Sequence, residues 1–260
     1  MARRRRPFWL MALLLLAGSG MAGVPQRVVS LDLCSDWILG EHADKGQVAG
    51  LSAMGQRFDA RYGPASGWPS HDGSLEQVVA LQPDLVLVGP YNASALRLRL
   101  QALGIRVEVT PLPTTLEQVA GFERQVLGLL GGDPSRAHPV LPMPALAADA
   151  PRLLVLGANG VGTGLQTFEN EVIARAGWRN YLALPGYVRL DMEALVADPP
   201  DAILWAAPTS PAKANAFAGH RALLAVVPPP RWLKTDNWRW ECPGPWTWSL
   251  VEQLQQWRNR

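Results

Sequence analysis

The chain has 260 residues, 48% of them hydrophobic and 18% charged, with 24 Lys and Arg against 22 Asp and Glu and only two cysteines. That much apolar material excludes a disordered chain, and two cysteines exclude a disulfide scaffold. The net charge of +2 is not a nucleic-acid signal, because four of the basic residues, Arg3 to Arg6, sit together at the N-terminus with no acid nearby.

Those arginines precede the apolar run Trp9 to Gly18 and the small residues ending Gly20-Met21-Ala22. A basic head, a short apolar run and a small-residue exit read as a secretory signal peptide over 1–23, cleaved near Ala22 or Gly23. The run is shorter than the roughly 20 residues that span a bilayer. Arg5-Arg6-Pro7-Phe8 leaves both the general and the twin-arginine export routes open. Loss of the four arginines takes the net charge from +2 to −2.

In chain order, the next elements are a strand over Arg27–Leu31 and a helix from about Ser35, which Ser35 or Asp36 would cap. A short helix carrying Glu76 leads to Pro83-Asp84 and the apolar strand Leu85–Leu87. A helix over Ser94–Leu103 then stops at Gly104, and a strand follows over Ile105–Val109. Apolar residues at helical spacing predict a helix over 114–130, with Thr114 and Glu117 as a capping box. Pro139, Pro142, Pro144 and Pro151 mark an irregular connector. Beyond it come a strand over Arg152–Leu156, a helix over Thr167–Ala176 stopped by Gly177, a helix with Glu193, Pro200-Asp201 and a strand. A helix over Ala212–Phe217 and a strand over Leu224–Val227 complete the set.

Glu76 to Leu87 and Glu193 to Leu204 are two copies of one pattern: Glu, six residues, Pro-Asp, then an apolar run. Strands alternating with helices imply βαβ units, and two copies imply two similar lobes in tandem. The expected fold is α/β, with two Rossmann-like lobes of parallel strands joined by a linker helix. The lobes would span 24–112 and 151–260, and the helix with its Pro-rich connector 113–150.

Gly157 to Gly164 follows a strand but lacks the G-x-G-x-x-G spacing and any Walker lysine, so it reads as a loop at the mouth of a cleft. Asp32, Cys34 and Asp36 alternate without histidines at ligand spacing, and no dedicated metal site is expected. His71 reads as part of a surface turn leading into the Glu76 helix, which Ser74 would cap. No G-x-S-x-G or H-E-x-x-H occurs, and no cysteine lies near a histidine, so the sequence does not point to an enzyme. Six of the eleven tryptophans lie between Trp232 and Trp257. Trp238, Trp240, Trp246 and Trp248 flank Pro243-Gly244-Pro245. Some of these indoles, on a stiff loop, suit the capture of a large flat ligand, whereas Trp257 and about half of the rest suit the core.

The segments Arg27 to Asp36, Glu76 to Leu87, Gly104 to Val107, Thr167 to Ile173 and Gly177 to Asn180 together resemble the periplasmic binding proteins for iron–siderophore, haem and vitamin B12 uptake. The resemblance covers residues 27 to about 257. It implies a substrate-binding protein of an ABC importer, with a corrinoid or ferric siderophore held in the inter-lobe cleft; haem is the alternative. An enzyme on the same scaffold is the alternative of a different class. It further implies Tyr187 and Asp236 as cleft residues, with Trp68, Tyr91, Trp238 and Trp240 as aromatic contacts. Glu76 and Glu193 are implied as docking residues, one per lobe, for the two permease subunits. The implied partners are the chelate and the permease, with no nucleic acid and no resident cofactor; a monomer in the periplasm is expected. Cys34 and Cys242 do not match the disulfide of the vitamin B12 subgroup. The resemblance places one near the cleft rim in each lobe, where they are either bridged or free. The family's linker helix is longer than the one predicted here.

Overall fold

The computed structural model describes residues 23–54, 67–140, 142–207, 216–235 and 238–260. The signal segment, the greater part of the helix expected over Ala212–Phe217, and Asp236 lie outside the described residues.

Two sheets follow one another along the chain. The first is formed by β1 (Val28–Ser30), β2 (Val48–Ser52), β3 (Ser70–His71), β4 (Leu85–Val88) and β5 (Val107–Val109), in the order β3-β2-β1-β4-β5. All of its pairings are parallel. Around it pack α1 (Leu33–His42), α2 (Leu75–Ala80) and α3 (Ser94–Ala102). Alternate residues of its central strands feed two cores. Val28, Leu85 and Leu87 face α1, while Val29 and Val86 face the α2–α3 side. A parallel sheet covered on both faces requires apolar residues at both parities, which the continuous run Leu85–Val88 supplies.

Pro-Asp of the repeat has a structural task. The Asp84 carboxylate accepts from the Gln26 and Arg27 amides at 2.7 and 3.0 Å, and Asp201 accepts from the Arg152 amide at 2.7 Å. The Arg27 and Arg152 guanidiniums each donate back to the helix end before the Pro-Asp turn, to Leu81 O and Pro199 O, both at 2.9 Å. Each copy thus clamps the start of its own lobe's first strand.

The second sheet comprises β6 (Arg152–Leu156), β7 (Val161–Thr163), β8 (Arg179–Asn180), β9 (Tyr187–Arg189), β10 (Ala202–Trp205) and β11 (Trp232–Lys234). Its order is β11-β10-β6-β7-β9, with β8 also on β6. It departs from the expected parallel sheet, since β7 runs antiparallel to both β6 and β9. The cause is the stretch read as a loop. Asn159 and Gly160 both take positive φ, 61° and 68°, the pair that a tight hairpin turn demands. At Gly164 a Cβ would lie 1.9 Å from Leu184 O, so only glycine allows the chain to close up there.

Around this sheet lie α5 (Phe168–Arg175), α6 (Met192–Ala197), α7 (Arg221–Val226), α8 (Trp238–Glu241) and α9 (Thr247–Arg258). The strand expected over Leu224–Val227 is the end of α7, which the His220 ring caps by accepting from the Ala222 amide. A short apolar run does not by itself separate strand from helix. The strand of this region is β11 instead. Likewise, α1 is capped not by Ser35 or Asp36 but by Asp32, which accepts from the Ser35 amide at 3.0 Å.

Between the sheets runs α4 (Leu116–Leu129). Its cap is Thr115, one residue later than expected, accepting from the Gln118 amide. Leu116 and Val119 belong to the core of the second lobe, whereas Phe122, Val126 and the flanking Leu130 belong to that of the first. One helix of about 21 Å therefore contributes to both cores. The Pro-rich connector is pinned against α4 by Glu123, which is wholly buried. Glu123 accepts from the His138 amide at 2.8 Å and faces His138 Nδ1 at 3.0 Å and His42 Nε2 at 3.1 Å. Burial alone would raise its pKa, but the hydrogen bonds from His42 and His138 outweigh that and hold the carboxyl below its ordinary value.

A second tie joins the lobes. Trp238, Cys242 and Trp246 pack into the core of the first lobe, while Trp240 packs into that of the second. Cys34 at the start of α1 and Cys242 form a disulfide, with Cα atoms 5.1 Å apart across a sequence separation of 208. The segment 238–246 thereby stitches the two lobes together. No helix among the described residues is long and apolar enough to cross a membrane.

Candidate functional site

At the carboxyl ends of β6 and β10 the chain leaves a cavity of about 540 Å³, within the range of small-molecule sites. Gly157, Ala158 and Ala206 form one wall with small side chains. Thr167, Phe168 and Glu169, the cap and first turn of α5, form a second. The exit from β5, Leu112 to Thr114, closes a third side, and Trp240, Glu241 and Pro243 form the fourth. Since Cys242 between the latter two is bridged to α1, this wall is fixed to the first lobe although the rest belongs mostly to the second.

Tyr187 lines the cavity as expected. It is 68% exposed, yet its hydroxyl donates to Glu169 Oε1 at 3.3 Å. Desolvation first, and the neighbouring Glu169 charge second, push the phenol up to about 12, so it remains neutral at physiological pH. Glu169 itself is buried. Loss of solvent holds its carboxyl above the ordinary value, more than the hydrogen bonds from its own backbone, Tyr187 and Thr167 lower it.

Of the six residues expected to line one cavity, Tyr187 and Trp240 do so. Trp238 does not. It is 2% exposed in the core of the first lobe, with its ring 4.0 Å from that of Trp37 and 5.7 Å from that of Trp246. A single residue, Arg239, separates it from Trp240, but the backbone there crosses from one lobe to the other. Trp68 packs against the same core and donates its Nε1 to Lys45 O at 2.9 Å, away from the cavity. Tyr91, after β4, is 85% exposed and is not a lining residue. Asp236 falls outside the described residues.

Sequence reasoning missed Glu169. It is one of two acids in the first turn of α5, which the sequence alone does not distinguish from an ordinary helix-start carboxylate. His71, read as a surface turn, is buried, and its Nε2 meets Ser30 O at 2.8 Å while Nδ1 accepts from the Gly73 amide. It closes a buried polar network in which Asp36 accepts from the Ser30 and Ser52 hydroxyls and the Ser52 amide. Burial raises Asp36 to about 7 despite those hydrogen bonds, and the nearby Asp32 charge adds to the rise. Among the described residues no group of three His, Cys, Asp or Glu is placed to hold a metal ion.

Glu76 and Glu193 are both exposed in the first turns of α2 and α6. Ser74 and Asp191 cap these helices. Each helix follows a strand, β3 or β9, whose carboxyl end lies at the same edge of its sheet as the cavity-lining segments.

No protein-family model and no curated protein sequence matches the chain. Solved structures do match its fold. A protein of Staphylococcus epidermidis ATCC 12228, described as a possible iron-binding periplasmic solute-binding protein, superposes with a TM-score of 0.70 at 15% identity, over 91% of this chain and 100% of that one. The periplasmic haem-binding protein HutB of Vibrio cholerae gives 0.68 at 14% identity, over 89% and 98%. The periplasmic vitamin B12-binding protein BtuF of Vibrio cholerae gives 0.60 at 17% identity, over 91% and 97%. The chain therefore has the two-lobed α/β fold of periplasmic solute-binding proteins of the iron, haem and vitamin B12 type.

Proposed function

We propose that this protein is the periplasmic substrate-binding component of an ABC importer, capturing a metal chelate between its lobes and delivering it to an inner-membrane permease. The observation that carries this reading is the cavity of about 540 Å³ at the junction of two covalently stitched lobes, flanked by Tyr187, Phe168 and Trp240. Aromatic faces and small residues suit a large, partly apolar ligand, while Thr163, Gln166 and Thr167 supply polar anchors. Corrinoids and ferric siderophores fit that description. Haem is a second reading, favoured by the likeness to haem-binding structures such as HutB. The basic, then apolar N-terminus supports export, after which the mature chain would act in the periplasm.

Delivery requires a docking surface on each lobe. Glu76 and Glu193 support one, being exposed acids at equivalent positions of the repeat and at matching edges of the two sheets. Charge pairs of that kind set register and encounter rate with a two-subunit partner.

The test is a thermal-shift panel of cobalamin, haemin and several ferric siderophores. A ligand that binds only the folded state stabilises it by RT ln(1 + [L]/Kd), about 2.7 kcal/mol at a hundredfold excess over Kd. The reading predicts one chelate that raises the midpoint without being consumed. Turnover of any panel member would point to an enzyme instead.

A further inference from the structure

We propose that Glu169 selects the ligand of this cleft, its Oε2 receiving a hydrogen bond from an N–H or O–H group on the edge of the bound chelate. The proposal rests on reading the cavity as the ligand cleft, and it narrows the ligand to a chelate whose rim carries donors rather than carboxylates.

Glu169 is 8% exposed and lines the cavity. Its two oxygens are not equivalent. Oε1 accepts from the Tyr187 hydroxyl at 3.3 Å, whereas Oε2 is buried with no hydrogen-bond partner. A buried carboxylate oxygen without a donor is costly, and the cost is recovered when a donor arrives. Tyr187 holds the side chain in place from β9. The acceptor is therefore positioned before the ligand binds, which is how a site converts one hydrogen bond into discrimination.

The other ionisable side chains lining the cavity among the described residues are Tyr187 and Glu241. Tyr187 is a neutral phenol across the working range. A ligand edge bearing carboxylates would meet like charge at Glu169. An edge bearing amides would meet acceptors. Cobalamin is rimmed by amides, whereas haem presents two carboxylates.

The carboxylate form is the one that accepts without competition from its own proton. Burial has raised the Glu169 pKa above its ordinary value, so a donor-bearing ligand should bind more tightly as pH rises and the group ionises.

The experiment titrates the exported protein with cyanocobalamin and with haemin, following tryptophan fluorescence from pH 5 to pH 8, for wild type, Glu169→Gln and Tyr187→Phe. Expected for wild type is cyanocobalamin affinity exceeding haemin affinity and rising with pH. Glu169→Gln should lose about tenfold for cyanocobalamin, the scale of one hydrogen bond to a charged group, and its affinity should no longer vary with pH. Tyr187→Phe should keep the pH dependence. If Glu169→Gln fails to fold, the wild-type preference between cyanocobalamin and haemin still decides. Cyanocobalamin bound with no pH dependence, or no more tightly than haemin, overturns the proposal while leaving the importer reading intact. Glu169→Gln bound as tightly as wild type with the same profile does so as well. If wild type binds neither these nor any ferric chelate, the importer reading falls and this proposal with it.

Discussion

Removal of the Cys34–Cys242 bridge, through Cys34→Ser with Cys242→Ala, is the sharpest probe of how the lobes are held together. Cys242 is 2% exposed among Trp238 and Trp246, so alanine suits the apolar site, while the partly buried Cys34 tolerates a hydroxyl. A bridge across a sequence separation of 208 constrains nearly the whole unfolded chain. The chain-entropy relation puts its worth at about 5 kcal/mol, and measured bridges more often give about 2–4 kcal/mol. For a domain pair of this size each kcal/mol moves the midpoint by roughly 2–4 °C, so the measured scale implies a fall of about 4–16 °C. The assay is thermal and urea unfolding of the variant and of wild type with and without reductant. Reduced wild type should coincide with the variant, and the variant's urea slope should be steeper because its unfolded state is no longer cross-linked. A midpoint change below about 2 °C, or wild type indifferent to reductant, would refute the view that this bridge joins the lobes of the folded protein.

Trp238→Ala should destabilise by about 3–5 kcal/mol, as loss of a core indole does, while leaving ligand affinity of the folded fraction unchanged by titration. Tyr187→Ala should do the reverse, moving the midpoint by no more than about 2 °C and weakening binding by about 1–3 kcal/mol. Asp36 sits near 7 when folded and near 3.8 when unfolded, so the folded state binds the extra proton and stability should decline as pH rises from about 4 to 7. Urea midpoints of Asp36→Asn should lack that decline; an equal slope in both proteins would count against it. Glu76→Arg combined with Glu193→Arg should abolish uptake in cells while the purified protein keeps its midpoint and its ligand affinity, and uptake at the wild-type rate would remove the docking assignment.

Much of the fold was legible because its repeat is local. The Pro-Asp turn, the preceding short helix and the buried strand lie within twelve residues, and the clamp from Asp84 and Asp201 to the first strand of each lobe reuses one interaction twice. What escaped was set by contacts between distant segments. The stretch Gly157 to Gly164 has the composition of a loop, and only its pairing with β9 turns it into a hairpin. Leu224–Val227 has the composition of a strand, but no sheet edge receives it and α7 continues through most of it. The indoles show the limit most plainly. Trp238 and Trp240 share a neighbourhood in sequence, yet one enters each lobe because the bridge at Cys242 fixes where the segment crosses. Glu169 was hidden for another reason: a first-turn acid is common in any helix, and only the burial of its unpartnered oxygen sets it apart.

The central claim is that the cavity beside Tyr187 and Trp240 holds one chelate. Ala158 lies in its wall, so Ala158→Trp would fill that space without touching the Cys34–Cys242 bridge or either sheet's central strands. Isothermal titration of wild type and Ala158→Trp with the chelate that emerges from the panel measures the claim directly. The account predicts one ligand per wild-type chain and loss of binding in Ala158→Trp at an unchanged unfolding midpoint. Binding of equal affinity and stoichiometry by both proteins would place the ligand elsewhere and contradict it.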